Sequence, residues 1–509
     1  MHTVPARTAS ECLRSQQHQN HRLWPAVAPV RDVSAAEPPT VGGPRHGGAA
    51  PVRGAGPRRP PTGRPGPGPH RTRNGVHMSE RTAPTSSHPA RAAVAAFVGT
   101  TIEWFDFYVY ATAASLVFGT LFFPPGTDPV VGLMASFATF SVGFFARPLG
   151  GLVFGHFGDR LGRKSALVIT LLMMGTATFC VGLLPTYEQA GFLAPALLVL
   201  LRFVQGIAVG GEWGGAVLMA VEHAPENRKT FYGSFAQLGN PAGALLATGS
   251  FGLIAAWDAD LLHTWGWRLP FLASILLVLV GLFIRLKVEE SPVFEAMRED
   301  ADQPRELPLR EAVRGSWRPL LLGIGILPVA VGGYYVVTTF LQAYGVTEVG
   351  ISEQVILSGL SLAAFVELVA TLGVSWLGDR FGTVRVVTIG LVGVIVLALP
   401  QFLVLETGST VLIFVMLCVM RLAMAAVYGP IARVLAQMFP PRTRYTSISI
   451  AYQVAGAIFG GLSPIVCTAL LAATGSILPV AGLLMAMAVV SILCLARAPR
   501  HRDTDLAAA

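Results

Sequence analysis

From Ala92 onward the chain alternates apolar runs of about bilayer length with short polar breaks, a pattern that few folds accept. A helix needs about 20 predominantly apolar residues to cross a hydrocarbon core. Only helices and closed barrels satisfy their own backbone groups there. Twelve runs are read, near 93–122, 130–155, 164–184, 192–220, 231–255, 268–286, 319–340, 353–376, 385–404, 409–435, 446–472 and 477–496. Composition agrees: 52% of residues are hydrophobic and 13% charged, against about 25% charged in soluble domains. The expected fold class is all-α and integral to the membrane, with twelve transmembrane helices.

The net charge of +8 misleads, because residues 1–77 hold eleven arginines against three acids and account for all of it. This Arg/Pro/Gly-rich extension lacks apolar periodicity and is expected to be disordered. A basic tail of this kind suits anionic lipid or nucleic acid. The simpler reading is a start assigned too early, with Met78 as the initiator. The remainder is neutral, so no nucleic-acid partner is expected there. Four of the five cysteines (180, 418, 467 and 494) lie in apolar runs and read as small hydrophobes. No cysteine pair has metal spacing, so neither a metal nor a cofactor is expected.

Loop charge sets an orientation. With the N-terminus inside, the inner breaks carry Arg160, Arg163, Lys164, Arg228, Lys229, Arg380, Arg385, Arg442 and Arg444, while the outer ones hold Asp128, Glu188, Asp258, Asp260, Glu348, Glu353 and Glu406. That is a positive-inside pattern, with both termini expected in the cytoplasm of a cell that keeps the protein in its inner or plasma membrane. Residues 287–318 are the long charged break, between halves at 92–286 and 319–497, and 498–509 form a short tail. Asp159 recurs as Asp379 and Arg202 nearly recurs as Arg421, which implies a duplicated unit of six spans.

The stretch Phe144 to Lys164 joins two spans through a charged turn, and Gly378 to Arg385 repeats the turn in shortened form. Asp159, Arg160, Gly162, Arg163 and Lys164, with Asp379 and Arg380, are the candidate cytoplasmic gate. The second copy has Thr383-Val384 where the first has Arg163-Lys164, so its share of the latch is expected to be weaker.

Several motifs together resemble the metabolite:proton symporter family of the major facilitator superfamily. They are Glu103-Trp104-Phe105-Asp106-Phe107, Phe144-Phe145-Ala146-Arg147-Pro148-Leu149-Gly150-Gly151, and the loop from Gly155 through Asp159-Arg160 to Arg163-Lys164. Arg202-Phe203-Val204-Gln205-Gly206, Gly210-Gly211-Glu212-Trp213-Gly214-Gly215, Trp265 to Phe271 and Glu290-Ser291-Pro292-Val293-Phe294 complete the set. The resemblance covers about residues 90–497 and is strongest to the branch that includes shikimate transporters. It implies two six-helix halves with a substrate site near mid-membrane between them. It also implies a role for Arg202 in proton transfer. Proline/betaine members of the family carry a long C-terminal coiled coil that is not read here, so osmosensing is not expected.

An ionisable residue inside a bilayer is a functional candidate by default. Glu103 and Asp106, spaced i, i+3, share a face of the first span, and with Glu212 and Glu367 they are the proton-coupling candidates. A permanent brace between spans is the competing reading of the first-span acids. Arg147, Arg202 and Arg421 are candidates for a substrate carboxylate, which a guanidinium binds bidentately, or for ion switches. Tyr110, Gln205, Gln237, Asn240, Tyr334, Tyr335, Tyr452 and Gln453 are candidate cavity walls, each of them equally a packing residue. Glu222 reads as part of the gate. No nucleophile–base pair or phosphate loop is present, so an enzyme is not expected. The expected function is proton-coupled import, by alternating access, of a small polar metabolite: a carboxylate such as shikimate, an oxoacid or a dicarboxylate. The partners are that solute, the proton and the bilayer, and the assembly is expected to be a monomer. An exporter or uniporter of the same fold, or a non-transporting sensor, are the alternatives.

Overall fold

The computed structural model describes residues 89–161, 163–210, 224, 226–287, 317–440 and 444–499. The extension, the linker at 288–316, Glu212, Glu222 and Gly162 lie outside the described residues, as do the side chains of Asp159, Arg160, Arg163 and Lys164. What is described is helical, with no strand among the described residues.

The first half comprises α1 (Pro89–Leu116), α2 (Pro129–Leu161), α3 (Arg163–Leu183), α4 (Leu193–Val209), α5 (Phe235–Trp257) and α6 (Arg268–Lys287). The second comprises α7 (Trp317–Thr347), α8 (Glu353–Phe381), α9 (Thr383–Glu406), α10 (Thr410–Met438), α11 (Thr446–Thr474) and α12 (Leu478–Arg497). Each falls on an expected apolar run. By length and apolarity alone seven helices qualify as spans, or eight when the bent pair Ala259–Gly266 and Arg268–Phe283 is joined. The exterior is coated with large apolar side chains such as Leu253, Ile389 and Val411, each at least 70% exposed. A soluble surface does not carry so continuous an apolar coat.

The internal repeat is visible in the packing. In the first half α1 lies on α5, α2 on α4 and α3 on α6; in the second, α7 lies on α11, α8 on α10 and α9 on α12. Between halves, α5 packs on α8 and α2 on α11, a pair of contacts that exchange when the halves exchange. Glycine allows the closest of these approaches. A Cβ on Gly206 would stand 2.2 Å from the Gly143 carbonyl oxygen, and one on Gly210 2.0 Å from that of Arg147, so α2 and α4 touch backbone to backbone. Small residues serve this purpose in membranes, where no hydrophobic force drives helices together. The Gly239–Gly243 segment does the same for α5, seating it on Thr100, Trp104 and Phe105 of α1.

Some spans are not regular. Within α7, π-helical turns at Pro328–Gly333 and Val336–Phe340 flank Tyr334-Tyr335, and α11 has one at Gly456–Gly461. Such turns insert extra residues and gather at functional sites. Here Tyr334 and Tyr335, adjacent in sequence, are both buried at the centre. At the turn between α8 and α9, Gly382 has φ 101°, a left-handed conformation that glycine adopts without a steric cost.

Candidate functional site

Among the described residues, three acids and three arginines are buried in the spans: Glu103, Asp106 and Glu367, and Arg147, Arg202 and Arg421, none more than 5% exposed. Burying six charges away from water is costly unless they are paired or neutralised. α1 supplies the first two acids on one face, α2 and α4 the first two arginines, α8 Glu367 and α10 Arg421.

In the second half the charges are paired. Arg421 Nη1 lies 2.9 Å from Glu367 Oε2, and the Tyr334 hydroxyl donates to the same oxygen at 2.8 Å. The Arg421 guanidinium also lies 4.4 Å from the Tyr334 ring centroid. Glu367 Oε1 and Arg421 Nε have no hydrogen-bond partner.

In the first half the arginines sit in aromatic cages. The Arg202 guanidinium carbon is 3.8 Å from the Tyr110 ring centroid, with Phe107 and Phe140 beyond at 5.0 and 5.1 Å. Its Nη1 donates to Gln205 Oε1 at 2.9 Å, while Nε and Nη2 have no partner. Arg147 lies 4.1 Å over Phe107 and 4.4 Å over Phe144. A desolvated cation over an aromatic face gains about 2 kcal/mol or more. The rings help to hold both arginines, and Nε of Arg147 with Nε and Nη2 of Arg202 remain as donors for an incoming acceptor. Asp106 touches the Thr178 hydroxyl and faces Arg202 and Glu103.

Tyrosines connect the two clusters. Tyr108 packs against Tyr334 and Tyr335, with centroids 5.8 and 6.2 Å away, and its hydroxyl donates to Asn240 Oδ1 at 3.1 Å. A cavity of about 10 Å³ remains beside Arg421, Thr112, Thr338 and Gln342, about the room one water requires. Gln237 and Gln453 make bonds across the halves, and Tyr428 and Tyr452 meet beside them within the second half. Gln237 Nε2 donates to the Tyr428 carbonyl at 3.2 Å, Gln453 Nε2 to that of Gly210 at 2.9 Å, and the Tyr428 and Tyr452 hydroxyls are 3.3 Å apart.

Both ends of the site are bridged. At the end of the charged turns, the Asp379 carboxylate accepts from the backbone N–H groups of Thr230 and Phe231, each at 2.9 Å, and from Arg433 at 2.8 Å. Arg380, also a gate candidate, lies over Trp376 and Phe381 of its own helix. At the other end, His263 Nε2 is 2.9 Å from Glu353 Oε1. The Glu353 carboxylate raises the His263 pKa above its ordinary value.

Of the residues singled out from the sequence, Glu103, Asp106, Arg147, Arg202, Tyr110, Gln205 and Tyr335 lie near one another. Sequence reasoning missed Thr178, Tyr108, Gln342, Arg433 and the His263–Glu353 pair. Thr178 and Tyr108 look like ordinary residues of apolar runs. Arg433 stands 54 positions from Asp379, with no local signal linking them.

Two repeated helical bundles, apolar outside and closed around buried charge at their contact, define a membrane transporter of the two-half kind. The sequence matches the Major Facilitator Superfamily over residues 96–464. It is 41% identical over 380 residues to the inner membrane metabolite transport protein YhjE of Escherichia coli (strain K12), covering 73% of this chain and 85% of the relative. It is 40% identical over 388 residues to the shikimate transporter of the same organism, covering 76% and 88%. Among solved structures, the proton:xylose symporter XylE superposes with a TM-score of 0.64 at 18% identity, over 81% of this chain and 95% of that one. The chain belongs to the Major Facilitator Superfamily: it is a multi-pass membrane transporter of metabolites, not an enzyme.

Proposed function

We propose that this protein imports a small polar carboxylate, of the shikimate, oxoacid or dicarboxylate kind, together with a proton. The observation that carries the reading is the charge balance at the centre. Among the described residues three acids lie with three arginines, and Arg147 and Arg202, each over aromatic rings, keep unsatisfied guanidinium donors. A proton on one acid leaves a net positive charge, and a substrate carboxylate restores neutrality. Proton and anion thus favour one another's binding, which is the thermodynamic content of symport.

In this reading Asp106 or Glu103 carries the proton, while Arg147, Arg202 or Arg421 meets the carboxylate with Tyr110, Tyr334, Tyr335 and Asn240 close by. The charged-turn end faces the cytoplasm, as loop charge implies. Asp379, with the turn at 159–164, latches that end, and the protein works as a monomer. The name of the shikimate-transporting relative supports the substrate class. The test is uptake of labelled shikimate, 2-oxoglutarate, citrate and proline by proteoliposomes under an imposed proton gradient. Gradient-driven accumulation of a carboxylate is expected, and accumulation of none of them refutes the reading. Equal uptake with the gradient collapsed marks a uniporter.

A further inference from the structure

We propose that the cavity beside Arg421 receives a hydroxyl group of the substrate, with Gln342 as the specificity-determining residue, so that this protein prefers hydroxylated carboxylates to their deoxy counterparts and to zwitterions. This rests on the carboxylate reading and narrows it.

Helices of both halves wall the cavity: Tyr108 and Thr112 from α1, Thr338, Thr339 and Gln342 from α7, and Arg421 from α10. Both α7 threonines lie in the π-helical turn Val336–Phe340. Several polar groups here are already spent. The Tyr108 hydroxyl donates to Asn240 Oδ1, the Thr338 hydroxyl donates to the Tyr334 carbonyl at 2.7 Å, and Arg421 Nη1 meets Glu367 Oε2 at 2.9 Å. Gln342 Nε2 and Arg421 Nε have no hydrogen-bond partner among the described residues, although both side chains belong to residues only 2% exposed. A buried donor without an acceptor is costly, so the cavity calls for an oxygen. Thr338 has committed its one proton, so toward a further partner its hydroxyl only accepts. Donors on Gln342 and Arg421 with an acceptor on Thr338 are the complement of an alcohol, which both accepts and donates.

Other groups fit this place less well. An ammonium has three protons and no lone pair, and here it would meet N–H groups beside a guanidinium. A carboxylate would lie against Glu367, which already balances Arg421. Arg147 and Arg202, which keep unsatisfied donors, are the better seat for the charged end. One aromatic wall joins the two places. Tyr108 packs on Tyr335 at 6.2 Å, and Tyr335 packs on Phe140 and Phe144 at 5.1 and 5.5 Å, the rings beneath Arg202 and Arg147. A solute with a carboxylate at one end and a hydroxyl at the other can lie along that wall.

The test is calorimetric binding to the purified full-length protein in lipid nanodiscs. The probes are shikimate against cyclohex-1-enecarboxylate, malate against succinate, and proline as the zwitterion. In whichever pair binds, the hydroxylated acid is expected to bind about tenfold tighter or more, because a site built to hydrogen-bond a hydroxyl rejects the analogue that lacks it. Proline binds more weakly than the hydroxylated acid. Gln342→Leu removes the donor, and Gln342→Glu replaces it with an acceptor of the same shape; each should shrink the ratio within a pair to about twofold. Thr338→Val, which removes the acceptor, shrinks it by less. Equal affinities within the pairs in the parent assign the spare donors to a buried water and overturn the proposal. A preference that survives in both Gln342 variants, or tighter binding of proline than of the hydroxylated acids, overturns it as well. Acids that bind without regard to the hydroxyl leave the carboxylate reading standing, whereas binding of none of the four acids sinks both.

Discussion

Asp379 offers the most direct test of how the molecule closes. Its carboxylate joins the segment Lys229–Gly233, between α4 and α5 of the first half, to α8 and α10 of the second. Asparagine at this position is isosteric but neutral. It keeps one acceptor oxygen and turns an amide NH2 toward N–H donors. The Phe231 bond to Oδ2 is lost outright, and the Thr230 and Arg433 bonds, which share Oδ1, lose the carboxylate's charge; a bond to a charged group contributes about 1.5–3 kcal/mol against about 0.5–1.5 for a neutral one. Asp379 and Arg433 are 7% and 17% exposed, so solvent screens the pair only in part. The closed end should lose about 3–5 kcal/mol, roughly a 10²–10³-fold change in its population at 1.4 kcal/mol per decade. A cysteine at Thr383, buried against Thr230 with hydroxyls 3.1 Å apart, reports the opening through a membrane-impermeant maleimide. Spin labels across the same end should give a second, longer distance. Reactivity in Asp379→Asn within twofold of the parent, with an unchanged distance distribution, refutes the latch.

Three other outcomes follow from the same structure. Glu367→Gln leaves Arg421 a buried charge without its counter-ion, a loss of about 3–5 kcal/mol, so thermal stability in detergent falls; Glu367→Leu with Arg421→Met recovers most of it, and a parent-like Tm in the single variant contradicts the pairing. Gly206→Ala and Gly210→Ala drive a methyl into backbone oxygen and should abolish folded yield, whereas Gly482→Ala, which meets nothing within 4 Å, is neutral; equal yields across the three contradict the close packing of α2 on α4. The His263 pKa is raised by its hydrogen bond to Glu353, so the pair stabilises the closed end opposite the charged turns fully below the ordinary histidine value and loses that contribution as pH rises through the raised one. Opening at that end, measured by labelling an engineered cysteine, should increase as pH rises through that value in the parent and lose its pH dependence in His263→Gln; a dependence that survives the substitution assigns it elsewhere.

Apolar runs of span length, separated by charged turns, were enough to place twelve helices, because a bilayer leaves the backbone so few options. The residues that a bilayer penalises, Glu103, Asp106, Arg147, Arg202, Glu367 and Arg421, were legible for the same reason: their cost marks them in one dimension. Partnership was not legible. Whether Arg421 meets Glu367 or an acid of α1 depends on how α8 lies against α10, and α1 does not carry its acids to that place. Asp379 and Arg380, neighbours in sequence, were both assigned to the gate. Adjacent residues on a helix point about 100° apart, so Asp379 turns inward to Thr230 and Arg433 while Arg380 faces outward over Trp376. The aromatic cages around Arg147 and Arg202 likewise need rings from different helices, Tyr110 and Phe107 from α1 with Phe140 and Phe144 from α2. Cost and periodicity are properties of the chain and can be read along it. Pairing depends on distances of about 3 Å between helices far apart in sequence, and those distances exist only after the helices have packed.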